Sequence, residues 1–190
     1  MLENYFDDEI FSKIDFTKSK INKGEYDNCT FVNCNFEAIH ASNIQFVECE
    51  FLECNFSNTI VKDTAFKDVS FINCKMVGVK FHECDPFLLQ FSFKDCQLNY
   101  ASFYQLKIPN TCFEKCNLEE VDFVETQLQN ASFTDCNLQN AIFENTNLEK
   151  ADFSEANFFQ IDPDENYLKQ AKFSKENIEG LLSKHKIIIV

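Results

Sequence analysis

Ten cysteines and three histidines are the residues of this 190-residue chain best equipped for chemistry, and the cysteines are strictly spaced. Cys34, Cys54 and Cys74 lie twenty residues apart, as do Cys96, Cys116 and Cys136, and the step from Cys74 to Cys96 is twenty-two. Thiolates are good ligands for zinc and iron–sulfur clusters. A straight column of side chains, however, cannot surround an ion tetrahedrally, and His40, His82 and His185 fall out of phase with it. Disulfides between successive members would join Cβ atoms about 4.8 Å apart, beyond the usual bridging range. The six-rung ladder is therefore expected to be structural, with cysteine acting as a small apolar residue, and no metal or other cofactor is expected. Carboxylates are plentiful but imply no cleft, the histidines lack a nucleophile–base pattern, and no glycine-rich phosphate loop occurs. These residues do not describe an enzyme.

The elements that carry the cysteines repeat every five residues. Large apolar residues run Phe6, Phe11, Phe16, Ile21, Tyr26, Phe31, Phe36, then Phe46 to Phe81, and from Phe93 to Phe158, with only Ala41 small. Nineteen of the 23 Phe occupy these positions. Two residues before each comes a smaller in-phase residue, such as Cys29, Thr64, Ala101 or Ala131. Neither a 3.6-residue helix nor two-residue strand alternation produces this period. If each pentapeptide forms one side of a square coil, both in-phase residues point to the axis and the other three face water. Nine cysteines then point inward, and Cys112 faces out. The extra two residues between Phe81 and Phe93 fit a bulge at 85–90 that preserves the register.

Composition sets further bounds. With three Gly, three Pro and no Trp, the chain is poorly supplied for a hairpin-built β protein. A net charge of −14 disfavours direct binding of nucleic acid or anionic lipid and favours basic partners. The stretch from Met1 to Phe16 carries Glu3, Asp7, Asp8 and Glu9, unlike a signal peptide, and no apolar run approaches the roughly 18 residues of a membrane helix. A cytoplasmic protein with reduced thiols and no membrane association is expected.

Segments such as Ala131-Ser132-Phe133-Thr134-Asp135, Cys136-Asn137-Leu138-Gln139-Asn140 and Ala151-Asp152-Phe153-Ser154-Glu155 resemble the pentapeptide-repeat family consensus. The resemblance spans about Phe6 to Phe158. It implies an all-β fold, a right-handed quadrilateral parallel β-helix of about eight coils, roughly 35 to 40 Å long. The β-helix is expected over 1–160. A C-terminal cap over 161–190 is expected to hold a short helix near Lys175–Lys184, begun by Ser174, and a strand Ile187-Ile188-Ile189-Val190. The chain also resembles the quinolone-resistance (Qnr), MfpA and microcin-immunity (McbG) branch of the family in length, coil number and ending, but lacks the two long loops of Qnr. That likeness implies a non-enzymatic DNA mimic directed at DNA gyrase or another type II topoisomerase, of the quinolone- or microcin-protecting type. The alternative is an interaction scaffold with an unrelated protein partner.

The candidate partner-facing acids are Asp63, Asp68, Glu83, Asp95, Glu119, Glu120, Asp122, Glu125, Asp135, Glu144, Glu149, Asp152 and Glu155, all on outward positions. Asp85, Pro86 and Phe87 form a candidate loop contact. Ile178, Leu181, Leu182, Ile187, Ile188 and Ile189 form a candidate homodimer interface, since an apolar end with a free strand edge is self-complementary.

Overall fold

The computed structural model describes residues 4–188. A five-residue side needs a sharp corner, and most corners turn through one residue with positive φ. On one side of the rod the series includes Asn33 (φ 54), Glu53 (φ 55), Asn73 (φ 53), Asp95 (φ 53), Lys115 (φ 53) and Asp135 (φ 53). Half of the 28 non-glycine residues in this conformation are Asn or Asp, the types that tolerate it best. Glycine is thus needed at few corners, Gly78 (φ 70) among them.

Corners every five residues stack each coil on the one before as a right-handed, four-sided parallel β-helix. Strands β1 (Tyr5–Asp7), β3 (Glu25–Asp27), β5 (Gln45–Val47) and β7 (Ala65–Lys67) build the first side. The second side is a seven-stranded sheet in the order β2 (Ile10–Ser12), β4 (Thr30–Val32), β6 (Glu50–Leu52), β8 (Val69–Ile72), β9 (Phe91–Lys94), β10 (Cys112–Glu114) and β11 (Ser132–Thr134). The third and fourth sides are held by single parallel bridges, for example Asn117↔Asn137↔Asn157 and Ser102↔Asp122↔Ile142. All pairings are parallel, and strand partners are twenty residues apart except at β8 and β9, where Val69 pairs with Phe91. Between Ala65↔Asp85 and that pair, residues 85–90 bow out of the wall.

The core is a set of aromatic columns. Phe11, Phe31, Phe51, Phe71, Phe93, Phe113, Phe133, Phe153 and Phe173 stack face to face on the second side, with centroids 4.6–5.3 Å apart. These eight steps continue two coils beyond the last named strand. In the first three coils aromatic rings line three sides and Ile21, Ala41 and Val61 the fourth; in the coil that ends at the bulge Met76 takes the third side and Phe81 the fourth. After it, Phe103, Phe123 and Phe143 occupy the fourth side, and Leu or Ile the first and third. Three rings with one aliphatic residue, or two rings with two branched aliphatics, thus fill one cross-section.

The coil lattice runs past residue 160, where the sequence reading placed a boundary. Tyr167 bridges to Asn147 and Lys172 to Asp152, and Phe173 stacks on Phe153. The repeat is masked there because Phe158 turns outward and Phe159 is buried in its stead. The cap helix takes 3-10 form, as two turns over Ile178–Leu181 and Ser183–His185. Its Asn177 does not cap the turn; the side-chain amide donates instead to the Phe153 and Ala156 carbonyls, closing the last coil. Ser174 makes no capping bond, and Ile187 and Ile188 lie outside any strand. Ile189 and Val190 lie outside the described residues. Gly180 packs against Phe159, where a Cβ would strike the Phe159 carbonyl oxygen.

Each mid-rod ring is fully enclosed by rings above, below and across, so Phe113→Ala should cost about 3–5 kcal/mol. Urea unfolding followed by circular dichroism measures this; a loss below about 1 kcal/mol would contradict the column as the main source of stability.

Candidate interaction surfaces

The cysteines do more than fill space. On the strand-like second side these carbonyls take a ladder N–H but no turn N–H, and the inward residue of the next coil adds a second donor. Cys54 Sγ donates to the Phe31 carbonyl at 3.4 Å, Cys74 to Phe51 at 3.3 Å, Cys96 to Phe71 at 3.3 Å and Cys136 to Phe113 at 3.4 Å. Cys34 does the same for Phe11. Threonine occupies equivalent positions elsewhere, Thr126 on Phe103 at 2.9 Å and Thr146 on Phe123 at 2.8 Å. Where alanine stands there, the corner closes with its own bond, as from Ala131 N to the Leu128 carbonyl at 3.1 Å. All ten thiols are free, and only Cys112 is exposed. Burial pushes Cys49 and Cys84 up to about 12. In the six-rung ladder, the neighbouring Cys136 and Cys96 thiols together with burial push the Cys116 thiol well above its ordinary value. A Cys74→Val variant removes the thiol's bond to the Phe51 carbonyl, which keeps its ladder N–H, whereas Cys74→Thr retains a second donor. Val should be less stable than Thr by about 0.5–1.5 kcal/mol in urea unfolding; equal stabilities would show that the sulfur merely fills space.

The lattice sorts the thirteen candidate acids by side. On the first and second sides, carboxylates face lysines: Asp152 pairs with Lys172 at 3.0 Å and Glu149 with Lys169 at 3.7 Å, while Glu114 pairs with Lys94 at 2.9 Å. The pairing holds the Glu114 carboxyl below its usual range. Asp68, Asp95, Asp135 and Glu155 also lie on these sides, Asp68 accepting from Gln90. Past the bulge, Glu119 and Glu120 stand on the third side and Asp122, Glu125 and Glu144 on the fourth, and none has a lysine partner among the described residues. Their hydrogen bonds come from neutral groups: Asn99 to Glu119, Ser102 to Asp122 and Gln105 to Glu125. Asp63 and Glu83 lie on the fourth side before the bulge. Six acids in all, Asp63, Asp68, Asp95, Glu120, Glu125 and Asp135, are corner residues with positive φ, so their backbones serve the turn as well.

The sequence reading missed Asp162, Asp164 and Glu165, which extend the fourth side because Asn145 N bonds to the Glu165 carbonyl one coil on. Lys184 bridges Asp162 and Asp164 and ties the 3-10 turns to that coil. It also missed the exposed rings of Tyr100, Tyr104 and Phe158. Counting twenty from Tyr100 would have placed Tyr100, Glu120 and Asn140 on one edge. His82 Nδ1, Ser102 Oγ and Asp122 Oδ2 form a chain of 2.9 and 3.0 Å contacts with serine in the middle, donating to the carboxylate. A base-activated hydroxyl requires the imidazole in that position. Asp85, Pro86 and Phe87 project from the wall with Phe87 65% exposed, and the Asp85 carboxylate accepts the Phe87 N–H. In the cap, Leu181 packs on the core, while Ile178, Ile187 and Ile188 are exposed; Ile189 lies outside the described residues. No helix among the described residues is long and apolar enough to cross a membrane.

A stack of five-residue sides with inward Phe and small residues defines a repeat-built β-solenoid. The model of the pentapeptide repeat region matches residues 19–103, 44–123 and 106–182, and the chain belongs to the pentapeptide-repeat family. Among solved structures, the chain resembles a trypsin-treated variant of QnrB1, a plasmid-mediated fluoroquinolone resistance protein. That match has a TM-score of 0.66 at 13% identity and covers 98% of this chain and 92% of that one. Full-length QnrB1 matches with a TM-score of 0.54 at 17% identity, over 97% and 100% of the two chains. Among curated proteins none matches the chain in sequence.

Proposed function

We propose that this chain is a non-enzymatic acidic rod that occupies a basic, DNA-shaped groove on a protein partner, with DNA gyrase or another type II topoisomerase as the favoured partner. The observation that carries this reading is that the third and fourth sides of the second half bear Glu119, Glu120, Asp122, Glu125 and Glu144 with no lysine among them. Acids needed only for solubility would be interspersed with lysines, as on the other two sides, where Lys94, Lys115, Lys169 and Lys172 stand among the carboxylates. A rigid rod bearing charge at the coil pitch presents a fixed anionic line to a groove built for phosphates. The fold shared with QnrB1 supports the same reading. The bulge with Asp85, Pro86 and Phe87 offers an additional contact, and the protein acts in the cytoplasm as a homodimer joined through its C-terminal cap.

Micromolar protein should change gyrase supercoiling or quinolone-induced cleavage. Glu120→Lys with Glu144→Lys should abolish the effect, whereas Asp135→Lys with Glu155→Lys, on the second side, should preserve it. No change with the unaltered protein in either assay would leave an interaction scaffold with an unrelated partner as the function. Sedimentation tests the dimer separately. Because Leu181 supports the core, the informative change is Ile178→Asp with Leu182→Asp, expected to halve the mass while keeping the β spectrum. An unchanged mass would remove the cap as the dimer contact.

A further inference from the structure

The second half of the rod carries an exposed aromatic line on one edge. Tyr100 and Phe158 stand at the corner between the third and fourth sides, 57% and 70% exposed. The backbone follows this edge from Tyr100 N to the Glu119 carbonyl and from Glu120 N to the Gln139 carbonyl. Asn140 and Phe158 then line one trough together with Gln139 and Gln160. Tyr104 and Ile142 flank the edge on the fourth side, 36% and 45% exposed. Glu119, Glu120, Asp122 and Glu144 lie between these apolar groups, and no lysine stands on either side from Gln97 to Glu165.

Nothing in the fold calls for rings here. Asn58, Gly78 and Asn140 serve at the same corner, and a bulky residue with positive φ is held against its own preference. Phe158 leaves the core without a loss of packing, since Phe159 is buried in its place. Two rings kept outside among uncompensated carboxylates suit a cation that is also flat. Guanidinium stacks on an aromatic face and binds carboxylate with a planar fork, whereas ammonium does neither as well.

We propose that this edge is the contact line for arginine side chains of a basic protein partner, stacked on Tyr100 and Phe158 and bonded to the carboxylates between them. The proposal rests on the reading that the acidic sides meet a basic protein surface, and it names which edge and which side chain make the contact. Its test is independent of gyrase. The full chain is titrated with fluorescent deca-arginine and deca-lysine peptides at equal, moderate salt. The unaltered protein should bind deca-arginine at least about fivefold more tightly. Tyr100→Asn with Phe158→Asn should bring the two affinities within about twofold while leaving deca-lysine binding, sedimentation mass and thermal midpoint undiminished. Tyr100→Phe with Phe158→Tyr should restore the preference. Equal binding of both peptides by the unaltered protein would overturn the proposal, as would a preference that survives the asparagine changes. A drop in mass on those changes would also overturn it, by making the edge a contact between copies of the chain.

Discussion

A coil of twenty residues cannot fold alone: it is one residue layer thick, and its rings would face water above and below. It becomes stable only when another coil lies on it in register, because then the backbone ladder, the ring stacks and the inward donors form together. Register is thus the constraint on which the rest depends. Phe113 stacks on Phe93 and Phe133 because their backbones pair, and Cys136 reaches the Phe113 carbonyl for the same reason. The positive-φ corners belong to the same agreement. Each is locally unfavourable for residues such as Glu120 or Lys150, and each is held by bonds from neighbouring coils.

The same constraint turns surface composition into geometry. Residues twenty apart in sequence become neighbours on one side, so charge is arranged by coil number rather than by local clustering. The second side mixes lysine with carboxylate, whereas the charged residues of the fourth side, past the bulge, are carboxylates alone. Screening over a Debye length of about 8 Å still lets carboxylates on successive coils act as one line of charge. The cap extends that line by adding Asp162, Asp164 and Glu165, and Lys184 neutralises it only at the tip.

Much of this is legible in the sequence because burial is written there directly. Phe every fifth position marks the axis, and the step from Cys74 to Cys96 marks the added residues near Phe87. Three features escape that reading. Phe158 has the right type at the right spacing, but Phe159 competes for the same cavity, and the outcome depends on how the last coil meets Gly180 and Asn177. The cysteines look like plain apolar residues because the carbonyls they bond belong to residues 23 or 25 positions earlier. The helical pattern near Ile178 becomes 3-10 turns because its capping residue is engaged by the coil below. In each case the deciding partner is distant in sequence.

The bulge at 85–90 has a bearing on how such a chain finds its fold. A lattice of near-identical coils has a built-in ambiguity: any segment could settle one whole coil too far along and still pair its backbone. Here the ring arrangement differs on the two sides of the bulge, three rings and one aliphatic residue before it, two opposed rings and two aliphatics after it. A slip of one coil across that junction would set Phe66 and Phe81 against the wrong neighbours and displace the two extra residues into a wall that has no room for them. The irregular stretch thus acts as an alignment mark, giving an otherwise translationally repetitive chain one origin from which its coils are counted.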